Sequence, residues 1–300
     1  MTPGTILPAG AALAAALFLA FDRLVRRGLA PARIPPDETP ADLGLDYAEV
    51  AIPTANDKQL QGWLVGMEDG ISRPAVVLLH GWGGNAATLL PLLQPLVDGG
   101  FAVLMIDARC HGRSDEDHFT SLPRFAEDLH HAVDWLYARH ALAPGSIAVL
   151  GHSVGAGAAL LVASQRDDLA AAISLSAFAH PAAMMKRFLA AHRVPYRPLG
   201  WAVLRYVERV IGHRFDDIAP QHTIARARCP VMLVHGADDS TVPVAEAHAI
   251  HAARGDAAVA LHVIAGSHDE FGNAAERAAA SARVVDFLRA AMNAGRRCVR

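Results

Sequence analysis

Short, continuous apolar runs recur along most of the chain, separated by glycine, proline and polar turns. Continuous rather than alternating hydrophobicity is typical of strands that other elements cover on both faces. These runs predict the central strands of a mostly parallel sheet: Ala75–Leu79, Ala102–Ile106, Ile147–Leu150, Ala171–Leu175, Val231–Val234 and Leu261–Ile264. An antiparallel pair precedes them, because Tyr47–Ile52 and Gln59–Val65 flank a turn-forming segment.

Helical periodicity separates the predicted strands. Phe125, Leu129, Val133 and Leu136 recur at three- and four-residue spacing, with polar residues such as Asp128 on the other faces. Alternation of strands and amphipathic helices predicts an α/β fold, with helices on both faces of the sheet. We find no internal repeat at a fixed period.

One connection is too long for a simple crossover. More than fifty residues lie between Leu175 and Val231, and they include the apolar residues Met184, Phe188 and Trp201. This stretch predicts a helical cap inserted at about 177–228, since long excursions often cover a site. Its apolar side chains either contact an apolar substrate or simply pack the cap onto the body.

The N-terminal stretch is uncharged from Thr2 to Phe21. A helix of about 20 residues spans the hydrocarbon core of a bilayer. Arginines at positions 23, 26 and 27 follow it, so the positive-inside rule keeps the rest of the chain cytoplasmic. These features predict a transmembrane anchor in residues 1–29, with membrane contact through residues 2–21. A cleaved signal segment and a packed alanine-rich helix remain alternatives.

A proline-rich stretch over residues 30–42 predicts an extended linker, and the folded domain is expected over residues 43–300.

The net charge of −3, from 27 basic and 30 acidic residues, argues against nucleic acid as a partner. The three cysteines show neither paired spacing nor a disulfide pattern. Sixteen histidines lack metal-ligand spacing, so we expect neither a metal nor a cofactor.

The strongest chemical signal is the segment Gly151-His152-Ser153-Val154-Gly155, between a predicted strand and a predicted helix. A G-x-S-x-G at such a junction is typical of a nucleophile elbow, in which flanking glycines allow the sharp turn that exposes the serine. A serine hydroxyl needs a base, and the base needs an orienting acid.

Candidates for the base and the acid follow the last two predicted strands. Asp238 and Asp239 come after Val231–Val234, and His268 comes after Leu261–Ile264. Both groups therefore lie at the carboxyl ends of strands, where open α/β sheets place their sites.

From about Tyr47 to Leu288 the chain resembles the α/β-hydrolases, because these motifs match separate family landmarks in the family's order. The resemblance implies an α/β-hydrolase fold with Ser153 as nucleophile, His268 as general base and Asp239 as the acid. Asp238 lies one residue earlier, and a shift of the turn would exchange the roles of the two aspartates.

The oxyanion hole follows from the same resemblance. His80-Gly81-Trp82-Gly83-Gly84 resembles the family's HGxxG segment, which makes the backbone N–H groups of Trp82 and Val154 the donors. The stretch from Asp107 to Ser114 resembles a family loop that commonly reads D-x-R-G-H-G-x-S. This chain departs from it at Cys110, where glycine is usual.

The resemblance implies a serine hydrolase that cleaves carboxylic esters of small-molecule, lipid-like or acyl substrates through an acyl-serine intermediate. Serine peptidases and amidases share this fold and triad, so they remain an alternative. A non-catalytic, membrane-tethered interaction protein that retains the fold is an alternative from another class.

Overall fold

The computed structural model describes residues 6–67, 73–270 and 272–298. An eight-stranded sheet forms the centre, in the order β1-β2-β4-β3-β5-β6-β7-β8. The pairs β1–β2 and β2–β4 are antiparallel, and the pairs from β4 through β8 are parallel. The strands are β1 Tyr47–Thr54, β2 Lys58–Val65, β3 Ala75–Leu79, β4 Ala102–Ile106, β5 Ile147–His152, β6 Leu169–Leu175, β7 Val231–Gly236 and β8 Val259–Ile264.

Helices cover both faces of this sheet. One buried cluster joins α3 and α4 to one face, and a second joins α2 and α10 to the other. The central strands β3 and β4 are buried at every position, which explains their continuous hydrophobicity. The helices are α1 Ile6–Gly28, α2 Leu90–Asp98, α3 Leu122–His140, α4 Val154–Gln165, α5 Pro181–Ala191, α6 Trp201–Ile211, α7 Phe215–Ile218, α8 Pro220–Thr223, α9 Ala245–Ala252 and α10 Ala274–Cys298.

The long connection between β6 and β7 holds helices α5 to α8. Leu204 and Val207 of α6 are buried against the body, whereas Phe188, Leu199 and Trp201 are exposed. Arg187 of α5 forms an ion pair with Glu246 of α9, and this pair ties the insertion to the body.

The predicted membrane anchor is wrong. Within the part of the chain that the structure describes, no helix is long and apolar enough to cross a bilayer. Alanines dominate the apolar part of α1, and its last turns carry Asp22, Arg23, Arg26 and Arg27. Residues 2–5 of the predicted segment lie outside the described residues. The predicted localisation, a membrane-anchored protein with a cytoplasmic catalytic domain, depended on this anchor and is not supported.

The C-terminal half of α1 packs on the protein itself. Its Asp22 accepts a hydrogen bond from the Tyr206 hydroxyl of α6 at 2.7 Å and pairs with Arg26 at 2.9 Å. Val25 and Leu29 pack against the buried cluster on the α3 face. Two of the charges that follow the apolar stretch, Asp22 and Arg26, therefore serve intramolecular contacts, although Leu13, Leu17 and Leu24 remain exposed.

Candidate active site

Ser153 stands at a sharp turn between β5 and α4. Its backbone has φ 54° and ψ −115°, a conformation that is uncommon for a non-glycine residue. The flanking glycines make the turn possible, because a Cβ on Gly151 would lie 2.0 Å from the Gly155 carbonyl oxygen. A Cβ on Gly155 would lie 2.4 Å from the His80 carbonyl oxygen. The local structure is therefore the sharp, glycine-flanked turn that the motif predicts.

The structure brings Ser153, His268 and Asp239 together. The Ser153 Oγ lies 3.0 Å from the His268 Nε2, and the His268 Nδ1 lies 2.7 Å from the Asp239 Oδ2. His268 is 9% exposed and Asp239 is 5% exposed. This arrangement holds the Nδ1–H of His268 on the carboxylate and leaves its Nε2 free to accept the serine proton.

The second oxygen of the Asp239 carboxylate is held by the backbone. Asp239 Oδ1 accepts hydrogen bonds from the Thr241 N–H at 2.9 Å and from the Val242 N–H at 2.7 Å. Asp238 is exposed, and the carboxylate that bonds and pairs with His268 in the described structure is that of Asp239. The geometry therefore favours Asp239 over Asp238 as the partner of the imidazole.

Two further histidines border this triad, and the sequence did not single them out. His152 Nε2 donates to the His268 carbonyl oxygen at 2.9 Å, and burial lowers the pKa of His152. His235 is buried, donates to the Val242 carbonyl oxygen at 2.7 Å and lies 3.3 Å from Asp239 Oδ2. His152 belongs to the Gly151–Gly155 motif and His235 directly follows the predicted strand Val231–Val234. These positions were the only sequence signal for the two residues.

The glycine-rich segment after β3 lies against the elbow. A Cβ on Gly81 would lie 3.1 Å from the Ser153 Cβ. His80 is fully buried, donates from Nδ1 to the Gly81 carbonyl oxygen at 2.7 Å and accepts from the Ala108 N–H at 3.0 Å. We name residues 80–84 the oxyanion loop after their predicted role. That the Trp82 and Val154 amides bind an oxyanion stays a prediction.

The stretch from Asp107 to Ser114 braces the oxyanion loop and the strand beside it. Asp107 accepts from the Ala86 N–H at 2.7 Å and from the Arg113 N–H at 2.8 Å. Arg109 is fully buried and pairs with Asp128 at 2.7 Å. Cys110 has φ 65°, so this residue adopts the left-handed conformation that favours glycine, the residue that the resemblance leads one to expect here. Burial raises the pKa of its thiol, which argues against a reactive cysteine.

A cavity of about 730 Å³ opens beside the triad, between the sheet and α10. Its lining includes His152 and Asp269, the sequence neighbours of Ser153 and His268, but none of the three triad residues themselves. Arg277 and Glu270 contribute charges to its lining. The apolar part of the lining comes from Leu89, Leu92, Leu175, Val234, Ile264 and Val284.

Within the described residues, two groups of side chains bring three metal-ligating atoms within 4.8 Å of one another: His152, His268 and Asp269, and His180, Asp216 and His222. In the first group, both ring nitrogens of His268 are engaged by Asp239 and Ser153. In the second, His180 Nδ1 accepts from the Ala182 N–H and Nε2 bonds Asp216 at 2.9 Å. Because a neutral histidine has one lone pair, His180 has none left for a metal.

Two buried histidines, one in the oxyanion loop and one that contacts it, predict a specific pH dependence of stability. Burial lowers the pKa of His111 and of His80 from 6.5 to about 4. At pH values between about 4 and 6.5, each of these two histidines is protonated in the unfolded chain and neutral in the native protein. The free energy of unfolding therefore decreases as pH falls from about 6.5 to 4, by about 1.4 kcal/mol per unit and histidine.

A difference measurement isolates the contribution of His111. Asp128, whose pKa burial raises to about 6, acts in the opposite direction, and burial also raises the pKa of the neighbouring Asp107. Both carboxylates, and His80, are common to the parent and to His111→Gln. We expect urea unfolding to show the parent losing stability relative to the variant as pH falls from 6.5 to 4.5. If the free energies of unfolding of the parent and of His111→Gln changed with pH in parallel, the result would contradict a neutral His111 in the native protein.

A family model described as Serine aminopeptidase, S33 matches residues 70–215, which include Ser153 but neither Asp239 nor His268. An uncharacterized protein of Mycobacterium tuberculosis (strain ATCC 25618 / H37Rv) is 28% identical over 197 residues, which cover 65% of this chain and 63% of that protein. Cutinase 2 of Thermobifida cellulosilytica is 30% identical over 158 residues, which cover 51% of each chain. The chain thus spans less than two thirds of either relative.

Among solved structures, the esterase Pf2001 of Pyrococcus furiosus superposes with a TM-score of 0.69. It is 24% identical, and the match covers 87% of this chain and 99% of the esterase. An identity at this level shows the fold alone. Together with the mixed sheet and the helices on its two faces, these comparisons confirm the predicted α/β-hydrolase fold.

Proposed function

We propose that this α/β-hydrolase cleaves carboxylic esters through an acyl-serine intermediate. The observation that carries the proposal is the chain of two contacts from Ser153 Oγ to His268 Nε2, at 3.0 Å, and from His268 Nδ1 to Asp239 Oδ2, at 2.7 Å. A half-buried serine followed by a buried histidine and a buried aspartate has the geometry of nucleophile, general base and orienting acid. The convergence of these three side chains weighs against a non-catalytic protein, in which nothing requires them to meet.

Acylation begins when His268 takes the Ser153 proton as the hydroxyl oxygen attacks the substrate carbonyl carbon. Asp239 stabilises the imidazolium that forms, and the backbone bonds to its other oxygen keep the carboxylate in place. The carbonyl oxygen becomes an oxyanion, for which the Trp82 and Val154 amides are the proposed donors. Each such donor contributes about 3 kcal/mol to the stability of the transition state.

The tetrahedral intermediate then collapses. The bond to the alcohol oxygen breaks, and His268 donates its proton to that oxygen, so that a neutral alcohol leaves and an acyl-serine ester remains. Water repeats the sequence: His268 takes its proton, hydroxide adds to the acyl carbon, and Ser153 departs with the proton. The products are a carboxylic acid and the regenerated enzyme.

The cavity beside the triad supports a substrate with an apolar portion. Its volume of about 730 Å³ lies in the range of small-molecule sites, which are mostly apolar with a few polar groups. Six of its fourteen lining residues are leucine, isoleucine or valine, and His152 and Asp269 lie among the others. We therefore propose acyl or alkyl esters of medium length as substrates.

An aminopeptidase is the second candidate. Asp269 and Glu270 directly follow His268 and line the cavity, and carboxylates at this place offer a partner for the ammonium group of a peptide's first residue. The description of the matching family model, Serine aminopeptidase, S33, supports the same reading.

A substrate panel separates the two candidates. The full-length chain is assayed against p-nitrophenyl esters from two to twelve carbons and against aminoacyl p-nitroanilides with a free amino group. Because the cavity is mostly apolar, we expect the highest kcat/KM on medium-chain esters, at least about 100-fold above that on any anilide, a gap of about 3 kcal/mol.

A higher kcat/KM on the anilides than on the esters would overturn the ester proposal in favour of the aminopeptidase. Turnover of neither class by a folded protein would contradict both. The full chain is required, because α1 and the following residues contact the cap and the body.

A further inference from the structure

The proposed oxyanion donor Trp82 lies between two peptide groups that histidines hold. The Gly81 carbonyl oxygen accepts from His80 Nδ1 at 2.7 Å, and the Gly83 N–H donates to His111 Nε2 at 3.1 Å. His80 comes from the oxyanion loop itself, whereas His111 comes from the turn after β4. Two separate segments of the chain therefore meet at this loop.

The hydrogen-bond partners fix the proton position on each ring. His80 Nε2 accepts from the Ala108 N–H at 3.0 Å, so its proton lies on Nδ1, which faces the Gly81 carbonyl oxygen. His111 Nε2 accepts from Gly83, so its proton lies on Nδ1, which donates to the Arg109 carbonyl oxygen at 3.0 Å. Both rings are neutral in this arrangement, since a doubly protonated ring has no lone pair left to accept.

The contacts on either side of Trp82 determine where its amide points. In a trans peptide the C=O and the following N–H point in opposite directions. Holding the Gly81 carbonyl oxygen toward His80 therefore directs the Trp82 N–H away from it. The hydrogen bond from Gly83 to His111 fixes the next peptide group, between Trp82 and Gly83. With both of its peptide groups held, Trp82 keeps one backbone orientation.

We propose that His111 is a positioning residue for the oxyanion hole: by accepting the Gly83 N–H it holds the loop in the orientation that presents the Trp82 amide to the substrate. This inference rests on the proposed function. His111 is 1% exposed, and its ring packs edge-on against Phe125 at 5.0 Å and Trp82 at 6.1 Å between centroids. Packing fixes the position of the His111 ring, and the hydrogen bond from the Gly83 N–H in turn fixes the position of the oxyanion loop.

Two substitutions separate this role from a packing role. Asparagine places its amide nitrogen near the position of Nδ1 and keeps the bond to Arg109, but it is too short to reach Gly83. Glutamine places its side-chain oxygen near the position of Nε2 and keeps an acceptor for Gly83. If His111 positions the loop, His111→Asn lowers kcat about 10- to 100-fold with little change in KM, and His111→Gln stays within about threefold of the parent.

The experiment measures kcat and KM on the best ester of the panel, and the affinity for a boronic acid that forms a tetrahedral adduct with the serine. We expect His111→Asn to weaken boronate binding in proportion to its loss of kcat, since the adduct places an oxygen in the oxyanion hole. His118→Asn, on an exposed histidine in the same loop, is the matched control and keeps parental values.

Equal losses of kcat in His111→Asn and His111→Gln, or equal parental values, would overturn the proposal. Thermal melting checks that each variant is folded. If His111→Asn does not fold, a large loss of kcat in folded His111→Gln likewise overturns the proposal, and retention supports it. A parent without esterase activity contradicts the proposed function instead, so the two failures are distinguishable.

Discussion

Replacing Ser153 with alanine is expected to lower kcat for ester hydrolysis by about 10⁴- to 10⁶-fold, because the acyl-enzyme no longer forms. The residual rate derives from binding and from the oxyanion donors alone. We expect the same variant not to react with a fluorophosphonate, and intact mass spectrometry of the parent to show one adduct per chain.

Ser176→Ala is the matched control for this experiment. Ser176 lies at the carboxyl end of the neighbouring strand β6, is buried and has a positive φ of 55°. Within the described residues its Oγ has no hydrogen-bond partner, so it lacks an activating base. We expect Ser176→Ala to be labelled like the parent. Labelling of Ser153→Ala would show that another residue is the nucleophile and would refute the mechanism.

The second large effect is expected at Asp239. In Asp239→Asn the amide group can donate toward His268, which favours the imidazole tautomer with its proton on Nε2, facing the serine. A base in the wrong tautomer cannot take the serine proton, so we expect kcat to fall about 10⁴-fold. Measurement of kcat on the best ester, with KM determined in parallel, checks this.

Asp238→Asn provides the comparison. Asp238 is exposed, and we expect its kcat to stay within about threefold of the parent, since the buried contact to His268 belongs to Asp239. A larger loss in Asp238→Asn than in Asp239→Asn would assign the acid to the earlier position, as the resemblance alone left open.

The fold follows closely from the hydrophobic pattern, because burial on both faces of a strand leaves no polar position. β3 and β4 have the bounds that their apolar runs predict. Strand ends are less evident from the pattern: β5 continues to His152 and β7 to Gly236. These ends carry polar or flexible residues because the site lies there, where packing no longer dictates the residue type.

The convergence of Ser153, Asp239 and His268 was predictable, since each follows a strand and parallel strands end at one edge of the sheet. The contacts of His111 and His235 were not. Each acts on a backbone atom, the Gly83 N–H or the Val242 carbonyl oxygen. Every residue has such atoms, so the sequence carries no mark of which one a distant side chain will contact.

The N-terminal helix shows that the absence of charge over about 20 residues is not enough to predict a membrane segment. An uncharged stretch of suitable length suggested a membrane segment, but alanine adds little to hydropathy. The hydroxyl that binds Asp22 belongs to Tyr206, which lies 184 positions later in the chain. No local pattern relates two residues so far apart.

The N-terminal helix also links the insertion between β6 and β7 to the rest of the protein. Its Asp22 is bonded to Tyr206 on α6, and a few residues later the Leu29 carbonyl oxygen accepts from the Thr120 N–H of the body at 2.8 Å. The segment between these bonds therefore connects α6 to the loop before α3. We expect a movement that lifts α6 off the body to break one of the two bonds, so that the N-terminal segment opposes such a movement.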